Sequence, residues 1–166
     1  MARAKQAKSA GAGTPDAITL LKADHRQVED WFGQFEKARD ANKKQMLATQ
    51  ICNALKVHAT IEEEIFYPAF LDATEEKDIH HEAEVEHDGA KKLIAEIEGM
   101  KPSDEFYDAK VKVLGEYIKH HVKEEEQPGG IFAQAKRGDE DLDAMGERLQ
   151  ARKEELMAEM GGGKAN

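Results

Sequence analysis

The 166-residue sequence predicts an all-α protein: an antiparallel up-down-up-down four-helix bundle with an extra C-terminal helix. Three observations predict it. Apolar residues recur at alternating three- and four-residue steps along four long stretches, as the inward stripe of a helix must. Turn-forming residues fall between those stretches and rarely within them. The composition, 35% charged and 6% aromatic, suits long surface-charged helices better than packed sheets. No strand alternation and no internal repeat is evident.

The elements follow in order. Residues 1–13 are small, basic and expected to form a disordered tail. Thr14 reads as an N-cap, with Pro15 in the first turn and Asp16 at the positive end of the helix dipole. The first helix then runs over about 15–40, with Ile18, Leu21, Val28, Phe32 and Phe35 inward. The second covers about 43–71 on a seam of Leu47, Ile51, Leu55, Ile65 and Ala69. Asp72-Ala73-Thr74 breaks it, and Thr74 is placed to cap a third helix over about 75–99. Gly99, Pro102 and Ser103 mark the next turn, and a fourth helix spans about 104–126 before the firm stop Gln127-Pro128-Gly129-Gly130. The bundle domain is therefore set at 14–130. A charged helical extension occupies 131–160, over one end of the bundle or at a dimer contact, and 161–166 is a second tail.

Charge and cysteine usage limit the partners. The balance of 24 basic and 34 acidic residues gives 24 − 34 = −10, which argues against nucleic acid or an anionic membrane as partner. A single cysteine excludes an intrachain disulfide and fits a reducing compartment. There is no secretory-type apolar segment and no run long enough to span a membrane, so a cytoplasmic monomer or weak homodimer is expected.

The seven histidines are the feature that composition leaves unexplained. The inward stripe of the first helix passes through His25. That of the second passes through His58 and Glu62, and that of the third, Ala83, His87, Ala90, Ile94 and Ile97, through His87. On the fourth helix Val113, Tyr117, His121 and Glu125 form the expected line. In antiparallel neighbours, residues equidistant from the connecting turn lie at one level. The His25–His58, His58–His87 and His87–His121 midpoints, at 41.5, 72.5 and 104, all fall in the turns, so the four imidazoles converge at one height. Four histidines and two glutamates on apolar seams, with no arginine or lysine to compensate them, would be costly to bury without a metal. Imidazole and carboxylate together suit iron, zinc or manganese.

These residues resemble the hemerythrin-like family of HHE cation-binding domains. The carriers are Asp24-His25; His58 through Glu62, Glu63 and Glu64 to Phe66-Tyr67-Pro68; Glu86-His87; and His121 through Glu124-Glu125. The resemblance covers about 16–130 and implies a non-haem di-iron centre, bridged by oxo or hydroxo, that meets O2 or related small molecules. It implies His25, His58, His87 and His121 as terminal ligands and Glu62 and Glu125 as bridging carboxylates. The chain departs from oxygen-carrying hemerythrins in two respects. A further histidine one turn away on the third helix is replaced by Ala83 or Lys91, and the fourth helix carries H-x3-E, with Glu126 at the alternative spacing.

Two six-coordinate irons offer twelve positions. Four histidines, two bridging carboxylates and one bridging oxygen fill 4 + 4 + 2 = 10. Two positions stay open unless Glu84, Tyr67 or Tyr117 fills one. That count favours a centre that senses, scavenges or reacts with O2, peroxide or nitric oxide over bulk O2 carriage. An oxidoreductase on the same scaffold (a peroxidase or ferroxidase), an iron-donating repair protein, and a structural zinc or manganese bundle are the alternatives. His80, His81 and His120 fall outside the convergent set.

Overall fold

A computed structural model describes residues 13–161. Its helices are α1 (Ala17–Lys37), α2 (Ala41–Ile61), α3 (Tyr67–Thr74), α4 (Lys77–Glu98), α5 (Tyr107–Glu126), α6 (Ile131–Arg137) and α7 (Leu142–Gly161). One turn of π-helix, Glu62–Phe66, joins α2 to α3 without a break, so α2 and α3 together form the second rod of a four-helix bundle completed by α1, α4 and α5. The expected all-α architecture with an added C-terminal helix is the one found. The basic tail at 1–12 and the last residues, 162–166, lie outside the described part.

Local chemistry sets the helix ends. The Asp16 carboxylate accepts from the Thr19 amide at 2.8 Å, so the cap of α1 falls two residues later than Thr14 and Pro15 precedes the helix. Asp40 does the same for α2, accepting from Lys43 N at 3.0 Å. Thr74 does not cap the next helix. Its hydroxyl donates back to Phe70 O at 2.8 Å, the chain turns through left-handed Glu75 (φ 58°), and α4 begins at Lys77. Gly129 (φ 89°) supplies the positive φ in the turn between α5 and α6.

Two inward stripes differ from their expected register. In the π turn, Tyr67 N–H donates to Glu62 O, an i→i+5 bond that inserts one extra residue. Everything beyond Glu62 is displaced by one position: Phe66, Tyr67 and Phe70 are buried where the seam predicted Ile65 and Ala69, which are only half-buried. On α5 the stripe is Val111, Leu114, Ile118, His121, Val122 and Glu125. Val113 and Tyr117 are exposed, because a strict four-residue step advances 40° per interval and walks off the inner face.

The core consists of two apolar clusters. One joins Ile18, Leu21, Ile61, Phe66, Tyr67 and Phe70 to Phe132 of α6 and Met145 and Leu149 of α7. The other joins Val28, Leu47, Ile51, Leu55, Ile94, Leu114 and Ile118. His25, His58, Glu62, His87, His121 and Glu125 are all buried, and they form a polar layer between the clusters. Helix α7 packs along α1, α2 and the π turn of its own chain. It comes so close that a Cβ on Gly146 would collide with the backbone of Pro15 and Asp16.

Candidate metal centre

The buried polar layer is two histidine pairs and two carboxylates. His25 Nε2 and His58 Nε2 are 3.1 Å apart, and His87 Nε2 and His121 Nε2 are 3.2 Å apart. In both pairs the ring centroids lie 4.8 Å apart at 60°. Glu62 Oε1 lies 3.1 Å from His58 Nε2 and 3.4 Å from His87 Nε2, so it touches one member of each pair. Glu125 mirrors it, with Oε2 3.9 Å from His25 Nε2 and Oε1 against His121 Nε2.

A second ring of carboxylates holds the outer nitrogens. Asp24 Oδ2 is 3.0 Å from His58 Nδ1, Glu126 Oε2 is 3.0 Å from His25 Nδ1, and Glu86 Oε2 is 3.3 Å from His121 Nδ1. Glu63 Oε1 stands 3.8 Å from His87 Nδ1. Three of these four carry an outer cation: Lys153 on Asp24, Arg26 on Glu126 and Lys91 on Glu63. At His25, His58 and His121 such carboxylates fix the tautomer and orientation of the ring and raise its basicity as a ligand, whereas His87 Nδ1 has no hydrogen-bond partner among the described residues.

The two halves are related by an internal pattern that linear reading did not reveal. Asp24-His25 corresponds to Glu86-His87 at an offset of 86 − 24 = 62. His58 with Glu62-Glu63 corresponds to His121 with Glu125-Glu126 at 121 − 58 = 63. The contacts recur in both halves, except that the Glu126–His25 hydrogen bond is matched only by a 3.8 Å approach of Glu63 to His87, so the site has an approximate two-fold symmetry.

Protonation follows from these contacts. Burial works against a charged His58, but Glu62 and Asp24 outweigh it and push its pKa up to about 10. His121 is likewise driven well above its usual value, against burial, by Glu125 and Glu86. Burial and the positive charge of His58 hold His25 down to about 3, leaving it neutral. Burial would raise Glu62, yet His58 and His87 keep it ionised, whereas burial and the Glu62 charge push Glu125 upward.

The residues fit a bound cation. Neither oxygen of Glu62 has a hydrogen-bond partner among the described residues, nor does Glu125 Oε2, although all are fully buried. The imidazoles 3.1 and 3.4 Å from Glu62 balance its charge only when protonated; with neutral rings the buried carboxylates call for another compensating charge. Glu62, His87, His121 and Glu125 each offer a ligand atom within 4.8 Å of the others. Two nitrogens at right angles on one metal, each about 2.1 Å from it, would stand about 3.0 Å apart. The two pairs, at 3.1 and 3.2 Å, have that spacing.

The further candidates separate. Tyr67 is fully buried, donates to Glu125 Oε1 at 3.1 Å and lies 3.3 Å from His87 Nε2. Burial and the flanking Glu125 and Glu62 charges keep its phenol protonated. Glu126 braces His25 from outside. Glu84 does not reach the centre: its side chain is exposed and faces His80 at 3.5 Å, because position 84 lies on the outer side of α4. Tyr117 is also displaced from its expected place, with an exposed ring that lies over Gly89. Linear reading missed Phe132, which stacks on His25 at 5.6 Å and 12°, and Lys153, which reaches Asp24 from α7. The acidic neighbours at 24, 63, 86 and 126, each beside a ligand candidate, were the available signal for the outer carboxylates.

The chain belongs to the hemerythrin HHE cation-binding domain family, whose model matches residues 16–128. Its fold is shared with the crystal structure of a hemerythrin HHE cation-binding domain-containing protein from Mycobacterium kansasii. That pair superposes with a TM-score of 0.71 at 23% identity, over 86% of this chain and 87% of the other. A protein from Nostoc sp. named DNA nickase is 27% identical over 145 residues. The match covers 86% of this chain but only 40% of the Nostoc protein. Among the described residues, no helix is long and apolar enough to cross a membrane.

Proposed function

We propose that this protein holds two iron ions and uses them to sense, scavenge or react with O2, peroxide or nitric oxide. His25 and His58 would bind one ion, His87 and His121 the other, and Glu62 and Glu125 would bridge them. The observation that carries this reading is the crossed pairing, in which each buried carboxylate faces one histidine of each pair. When bound, the ions would supply redox chemistry and open positions for a small ligand. The chain's own residues orient and insulate. Asp24, Glu126 and Glu86 hold the histidine rings in place, and the Tyr67 hydroxyl offers a proton at Glu125. Phe132 and Phe66 cover the cluster on the α6 side. Glu84 and Tyr117 lie away from the cluster, so of the three side chains that could take an open position only Tyr67 stands beside the ligand set, and at least one position would remain for a small ligand.

An oxidoreductase of the peroxidase or ferroxidase kind is the second reading, and the buried phenol beside the carboxylates is what favours it. The nicking activity named for the Nostoc protein is not part of this proposal: the match covers 40% of that protein, and a net charge of −10 works against binding to a polyanion. Metal analysis of protein made in iron-sufficient cells, followed by absorption spectra on exposure to O2, peroxide and nitric oxide in turn, tests the proposal. Two irons per chain and ligand-dependent bands are expected. Zinc or manganese in place of iron, or stable oxygenation through many cycles without autoxidation, would overturn it.

A further inference from the structure

On the side of the histidine layer away from Phe132 lies a cavity of about 240 Å³. Its body is apolar, formed by Val28, Leu55, Ala90, Ile94, Ile118 and Val122 from all four rods of the bundle. Its inner end is the histidine layer itself, and Trp31, Tyr117 and Met157 stand toward solvent. A single water needs about 10–15 Å³ by the same measure, and a cavity of about 150 Å³ holds benzene. The space is therefore an order of magnitude larger than a diatomic ligand needs. Interiors are otherwise close-packed, so an apolar void of this size beside a reactive centre is matched to an organic occupant.

Charge restricts the polar end of that occupant. Asp24 and Glu86 both line the cavity near the histidines. Both lysines of the lining are already engaged, Lys153 with Asp24 and Lys91 with Glu63, and Glu86 faces His121 Nδ1 at 3.3 Å. A carboxylate or phosphate headgroup would find no free cation in this lining to offset its desolvation, whereas a neutral oxygen group needs none.

We propose that the cavity binds a compact, neutral organic molecule: one aromatic ring or a branched alkyl group of about six to nine carbons, bearing a single hydroxyl or hydroperoxide directed at the histidines. The apolar fit stands on the cavity alone, and only the direction of the headgroup rests on the two-metal reading.

Trp31, the sole tryptophan, lines the cavity and reports on it directly. The full chain, metal-free and iron-loaded, is titrated with 2-phenyl-2-propanol while Trp31 fluorescence is followed, and with 2-phenylpropanoate as the anionic comparison. Saturable quenching by the alcohol is expected in both preparations, with the anion at least tenfold weaker in the metal-free one. Ala90→Phe and Ala54→Phe, which fill the cavity from a buried and a half-buried position, should each weaken the alcohol at least tenfold while circular dichroism stays unchanged. No saturable quenching, or undiminished binding in a folded filling variant, would overturn the cavity assignment. Equal binding of the anion would overturn the neutral headgroup. Iron content of the same samples keeps the two proposals apart: normal loading without alcohol binding sinks this inference alone, and alcohol binding without iron sinks only the metal reading.

Discussion

Replacing Asp24 with asparagine removes one charge from the site and leaves a carbonyl that can still accept from His58 Nδ1. In the metal-free protein His58 is flanked by two carboxylates, Asp24 at 3.0 Å from Nδ1 and Glu62 at 3.1 Å from Nε2. Together they lift its pKa from 6.5 to about 10, a shift of 10 − 6.5 = 3.5. At 1.36 kcal/mol per unit this is stabilisation on the order of 5 kcal/mol. Because the folded pKa lies above the unfolded one, that stabilisation is fully present below pH 6.5 and is lost as pH rises toward 10. Asp24 is one of two comparable partners, and Lys153 draws on the same carboxylate. Asp24→Asn should therefore lower the His58 pKa by about 1–2 units and cost roughly 1.5–3 kcal/mol below neutrality, the range of a charge-assisted hydrogen bond. The assay is an NMR titration of the histidine ring protons in metal-free protein, with urea unfolding near pH 6 and pH 9. Wild-type stability should fall between those two values, and the variant's fall should be shallower. An unmoved His58 pKa, or wild-type stability that rises over this interval, would refute the reasoning.

Two other outcomes test separate parts of the structure. Gly146→Ala places a methyl against the Pro15–Asp16 backbone, which cannot move aside, and should cost about 1–3 kcal/mol. That corresponds to a melting temperature lower by about 3–10 °C with helical content retained; an unchanged midpoint would show that α7 does not sit this close. Tyr67→Phe deletes the buried donor to Glu125 Oε1 and should destabilise the metal-free protein by about 1–3 kcal/mol in urea unfolding at neutral pH. Equal stability would mean that Glu125 finds its proton elsewhere.

The bundle and its convergent histidines were legible because helical periodicity and turn positions both survive in a linear string. Ala83, His87, Ala90, Ile94 and Ile97 are all buried, as their three- and four-residue steps require. The register beyond Glu62 was not legible, since one inserted residue in a π turn leaves no periodic mark of its own. Its consequence is chemical: the slip places Tyr67, in the expected register a neighbour of the seam, where its hydroxyl reaches Glu125. On α5, His121 and Glu125 are common to the expected and observed stripes, so both are buried as expected although Val113 and Tyr117 are not. Glu126 was a candidate from its spacing, but which histidine each outer carboxylate braces was not legible, for another reason. Glu126 braces a histidine on α1 and Asp24 one on α2, and contacts between helices have no signature in local spacing.

The two-fold pattern bears on how the chain can be divided. His25 takes its outer carboxylate from α5, and His87 faces the one that follows α2, so neither hairpin carries a finished half of the site. A site assembled this way is a clasp between the first and second halves of the chain. Cations seated in it would act as cross-links from residue 25 to residue 125, closing a loop of about a hundred residues of the kind whose unfolded entropy a covalent bridge would restrict. With one cysteine, the protein has no disulfide to serve that purpose, and its polar layer is placed where such a bridge would stand.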